Sequence, residues 1–90
     1  MSDQDKKNVQ QNNSVYFRNQ VEAYKNSIDI LTMTIIYKKH KIAYLTEKSY
    51  DAITIEPHQN ELYKMEDEMK HYKTTLEHYE NELKNFDENL

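Results

Sequence analysis

The sequence predicts an all-α fold: an antiparallel two-helix hairpin of coiled-coil type that dimerises into a four-helix bundle. Three observations predict it. The chain has no Gly and a single Pro, Pro57, so the residues that usually shape the turns between strands are missing. Two stretches repeat apolar residues at alternating spacings of four and three, the period of a helical seam. The two seams can also be laid head to tail, with a connection where the first one fades.

The opening stretch, 1–13, is polar and carries a Gln10-Gln11-Asn12-Asn13 run. It has too little apolar surface to offset the entropy of ordering and is expected to be a flexible tail. Ser14 suits the N-cap of the helix that follows, expected over 14–50. Its seam is Phe17, Val21, Tyr24, Ile28, Leu31, Ile35, Lys38, Ile42 and Leu45, with Lys38 the polar entry. The pattern fades near Ser49, and the connection is expected over 51–56, a stretch that includes the β-branched run Ile53-Thr54-Ile55. Pro57 suits the first position of the second helix, expected over 57–89 and capped by Glu56. The second seam is Leu62, Met65, Met69, Tyr72, Leu76, Tyr79, Leu83, Phe86 and Leu90. Each helix is then about 50 Å long.

With heptad positions lettered a to g, and Val21 and Leu62 both at a, an antiparallel pairing sets every a level with a d. A turn centred between Ile53 and Thr54 aligns Leu45 with Leu62, Lys38 with Met69, Leu31 with Leu76 and Val21 with Phe86. A hairpin rather than one continuous rod follows from this fit. In size and two-helix shape the chain resembles several families of hairpin partner proteins. Among them are prefoldin subunits, chaperones like tubulin cofactor A and small secretion partners with a Trp-x-Gly turn. The chain contains neither Trp nor Gly, and no functional residue is carried over from those families. The resemblance is of architecture alone.

The first helix has a second apolar face. Its c positions are Tyr16, Ala23, Ile30, Tyr37 and Tyr44, with Met33, Ile36 and Ala43 beside them. A helix apolar nearly all round is normally buried, and a patch of several hundred Å² is rarely left in water. Ile30, Met33, Ile36, Tyr37 and Tyr44 are therefore the candidate partner-binding residues. The second helix has no such face, because Glu66, Asp67, Glu68, Lys70, Lys73, Glu77, Glu80, Glu82 and Lys84 surround its seam.

Composition restricts the chemistry. Charged residues make up 31% of the chain with a net charge of −4, an acidic balance that makes nucleic acid an unlikely partner. Zero cysteine excludes a disulfide frame and a thiolate nucleophile. Neither a secretory leader nor a membrane-length apolar stretch is legible, so a cytoplasmic protein without a membrane partner is expected. Glu68-x-x-His71 has the spacing of a di-iron motif, but it lies off the core and has no second copy. His71 and His78 are two turns apart, about 10.5 Å, too far for one ion. No phosphate-binding loop can be built without glycine. Catalytic, cofactor and metal sites are expected to be absent, and so is enzymatic activity.

Three functions remain to be separated. The first is a self-associating homodimer with a structural or scaffold role. The second is an adaptor, chaperone, secretion partner or inhibitor, of viral or phage type included, that takes a different protein on the same face. The third is a nucleic-acid regulator using Lys38, Lys39 and Lys41, whose binding would weaken steeply with salt. Lys38 itself reads better as a polar seam residue that sets register.

Overall fold

A computed structural model describes the backbone of residues 3–89 and the side chains of residues 13–86. Two long helices, α1 (Asp3–Glu47) and α2 (Ala52–Asn89), lie against each other as an antiparallel hairpin. The molecule is 70 Å long and 17 by 15 Å in section. Described residues outside the helices are confined to the turn, 48–51.

Over the described residues the seam that holds the helices together is the expected one; Leu90, its expected last member, lies outside them. Val21, Ile35 and Leu45 are its buried apolar members, while Ile28, Leu31, Leu62, Met69, Leu76 and Leu83 are half-buried. Among the described residues no side chain is fully buried. Two helices can cover each other on one side only, so each seam residue keeps an edge in water.

The element boundaries differ from the expected ones at both ends of the turn and at the start of α1. α1 begins at Asp3 rather than at Ser14. Residues 3–13 contain neither Gly nor Pro, and adding residues to a nucleated helix costs far less than starting one. Ser14 is thus a buried residue within the helix, at an a position, with no hydrogen-bond partner for its hydroxyl.

The connection is shorter than 51–56, and α2 starts at Ala52 rather than at Pro57. The carbonyl of Leu45 accepts from Tyr50 N–H (3.0 Å) and that of Thr46 from Ser49 N–H (3.0 Å). Ser49 takes a left-handed φ of 61°. Together these are a Schellman ending, which satisfies carbonyls that a helix terminus otherwise leaves open. Asp51 then caps α2. Its Oδ1 accepts from the Thr54 backbone N–H (2.9 Å) and from the Thr54 hydroxyl (2.7 Å). These bonds, the side-chain one first, hold the Asp51 carboxyl below its ordinary pKa. Pro57 consequently sits inside α2, where it offers no N–H to the carbonyl of Ile53.

The shorter turn shifts the pairing by one heptad. Lys38, expected level with Met69, instead reaches His58 and Glu61. Toward the open end, Phe17 meets Tyr79 and Phe86, with ring centroids 5.9 and 5.3 Å apart. Tyr24 lies against Tyr72 and Tyr79 at 5.9 and 5.7 Å. These contacts place Leu45 near Ile55, Lys38 near Leu62, Leu31 near Met69 and Val21 near Tyr79. Every a still meets a d. A seven-residue repeat cannot distinguish registers a whole heptad apart, so the turn chemistry selects between them.

Candidate interaction face

The candidate surface follows from the geometry of α1. With a and d positions committed to α2, positions b, c and f point away from the hairpin partner. Ile30, Met33 and Tyr37 are 69%, 67% and 68% exposed, and Ile36 and Tyr44 are about half exposed. All five predicted residues therefore share one open side of α1. They are within reach of one another at spacings of three, four and seven along the helix.

Asp29 and His40 are exposed among these residues, while the threonine hydroxyls that flank the face are satisfied within α1. The hydroxyl of Thr34 donates to the Ile30 carbonyl (2.9 Å), Thr32 to Ile28 (2.7 Å) and Thr46 to Ile42 (2.8 Å). Hydroxyls satisfied within their own helix can be covered without losing a hydrogen bond. Tyr44 also carries the Lys48 ammonium 6.0 Å from its ring centroid, a weak cation–π contact.

The asymmetry between the helices is marked. Among the described residues, the large exposed apolar side chains on α1 are Val15, Tyr16, Ile30, Met33, Ile36, Tyr37 and Tyr44, whereas α2 has Ile53 and Tyr63. Tyr50, in the turn, is also exposed. The sequence reading passes over Val15, a b residue on the same side. It also assigns Ile53 to a connection, where exposure has no periodic signal, and Tyr50 to the last position of the first helix, where the seam has already faded. Tyr16 belongs to the open face by its c position, yet its ring leans on Tyr79, with centroids 6.5 Å apart. The hydrogen bond between the two phenols pushes the Tyr79 hydroxyl above its ordinary pKa.

Lys38 is drawn out of the basic cluster it belongs to in sequence. Its side chain is 12% exposed, and its ammonium donates to His58 Nδ1 (3.0 Å) and pairs with Glu61 Oε2 (2.6 Å). The hydrogen bond and the charge of Lys38 lower the Glu61 carboxyl from its ordinary pKa. Lys39 and His40 remain exposed and Lys41 is half-buried.

Glu68 and His71 do not converge on an ion site. Glu68 accepts from the Tyr72 hydroxyl (2.7 Å), which raises the Tyr72 pKa. His71 lies on an open surface with Asp67, Lys70 and Thr74. Among the described residues no cluster of three or more His, Cys, Asp or Glu is arranged to hold a metal. Among them, too, no helix is long and apolar enough to cross a membrane. Compared with known proteins, the chain matches no family model, no curated protein and no solved structure. The case for function therefore rests on the surface itself.

Proposed function

We propose that the protein is a non-enzymatic protein–protein interaction module whose hairpins self-associate through the open face of α1. The assembly is a homodimer, a four-helix bundle with two copies of α1 inside and two of α2 outside. The observation that carries this reading is the contiguous exposure of Ile30, Met33, Ile36, Tyr37 and Tyr44 on a helix whose partner has a charged outer side.

Covering several hundred Å² of such surface contributes roughly 5 to 10 kcal/mol before the cost of association is deducted. The partial exposure of the seam supports the same reading. Among the described residues no seam side chain is fully buried, so the hairpin has little core of its own, and a second hairpin on the open face of α1 adds a further apolar layer on the side away from the seam. A two-fold axis requires the face to complement itself. The five residues themselves carry no charge.

The test is the solution mass of the full chain by light scattering across a concentration series, beside the double variant Ile36→Glu, Tyr37→Glu. A dimer mass that falls to a monomer in the double variant, with helicity retained, is the expected result. A chain already monomeric at high micromolar concentration overturns self-association and transfers the face to a different protein.

A further inference from the structure

We infer that the hairpin has two registers, one heptad apart, and that a latch at the turn end holds it in the observed one. The latch comprises the Lys38–His58 hydrogen bond and the Asp51 cap. Leaving it moves α2 about 10.5 Å along α1.

The seams allow the move. They repeat every seven residues over their whole length, so sliding α2 by one heptad again sets each a against a d. In the slid register Leu62 replaces Ile55 against Leu45, and Met65 replaces His58 against Ile42. Neither exchange puts a polar group into the seam.

The one charge in the seam is provided for in both positions. Glu61, the present partner of Lys38, immediately precedes seam residue Leu62. Glu68 immediately precedes Met69, one heptad on, and would stand beside Lys38 after the slide. At present Glu68 is held by the Tyr72 hydroxyl, on its own helix. The ion pair is exchanged rather than lost.

The segment that must open is built to yield. The first turn of α2 contains the β-branched Ile53, Thr54 and Ile55, which lose side-chain freedom in a helix. Pro57 removes the backbone bond that Ile53 would receive, and the Ile53 side chain is 83% exposed, so it adds little packing. Unwinding residues 52–56 lengthens the connection enough for the slide and leaves Pro57 at the first helical position, its favoured place. Against this stand the bonds from Asp51 to Thr54, the Lys38–His58 bond, the packing of Ile55 near Leu45 and, at the open end, the contacts of Phe17 with Tyr79 and of Tyr24 with Tyr72.

The chain has no cysteine, so paired cysteines report register directly. Leu31→Cys with Met69→Cys reads the observed register, and Leu31→Cys with Leu76→Cys reads the slid one. Leu31→Cys with Leu83→Cys, a further heptad away, gives the background from fraying. A disulfide needs Cα atoms within about 7 Å, so under mild oxidant the Leu76 pair closes within one chain only when α2 has moved.

The expected result is that the Leu76 pair closes more slowly than the Met69 pair but faster than the Leu83 pair. Adding Asp51→Ala should raise its rate about five-fold, the factor carried by loss of a capping side chain. Equal rates for the Leu76 and Leu83 pairs overturn the proposal, as does a Leu76 rate indifferent to Asp51→Ala. If circular dichroism shows that a seam cysteine unfolds the hairpin, spin labels on the exposed pair Asn26→Cys, Thr74→Cys decide instead. A second, longer distance that grows with Asp51→Ala supports two registers, and a single distance rules them out.

Discussion

Ser49 and Asp51 carry much of the architecture on two side chains. Ser49 holds a left-handed φ of 61°, a conformation that costs a residue with a Cβ roughly 1 kcal/mol or more. Glycine adopts it freely but loses more entropy on folding. At a Schellman C′ position the first effect outweighs the second, so Ser49→Gly is expected to stabilise the hairpin by about 0.5 to 1 kcal/mol. Ser49→Val is expected to destabilise it. Urea unfolding followed by circular dichroism checks both, and a destabilised glycine variant would mean that the turn stores no strain. The turn was the least legible part of the sequence for the same reason. Tight helical turns are normally marked by glycine, and here a serine does the work. Asp51 also stands before a β-branched run ending near a proline, which argues for a loop as readily as for a capped helix.

At the level of the elements, the helices and their seams were readable because burial on one side enforces a period. Val21, Ile35 and Leu45, the buried apolar residues, all fall on the seam read from spacing alone. The level at which they meet α2 was not readable. A periodic pattern fixes which face is inside but leaves register free in steps of its own repeat. The start of α1 was missed for another reason. Polarity in residues 1–13 argues against burial, but a helix continuing from a packed segment does not need to bury its first turns. The two faces of α1 should respond differently to truncation. Leu45→Ala opens a buried seam position and is expected to cost about 2 to 4 kcal/mol. Ile30→Ala removes an exposed side chain and should change the stability of the isolated hairpin by less than about 0.5 kcal/mol. Both are measured in the Ile36→Glu, Tyr37→Glu background, where the hairpin is expected to be monomeric. A loss at Ile30 comparable with that at Leu45 would show that its face is covered within the single chain.

For the molecule as a whole, a slender hairpin with a half-buried seam does not close its own core. Its stability should therefore depend on how much of it is present. If folding and association are coupled through the open face of α1, mass action makes the melting temperature rise with protein concentration. Each tenfold increase adds about 1.4 kcal/mol per dimer, which for a bundle of this size corresponds to roughly 3 to 5 °C. Circular dichroism melts of the full chain from low micromolar to high micromolar concentration read this directly. The Ile36→Glu, Tyr37→Glu variant should melt lower and at a temperature independent of concentration, because each hairpin then stands alone. Ile53→Glu, a change at an exposed residue away from the face, should leave the concentration dependence intact. A wild-type melting temperature flat over that range would mean that the hairpin folds unaided, and that a different protein is needed to cover Ile30, Met33, Ile36, Tyr37 and Tyr44.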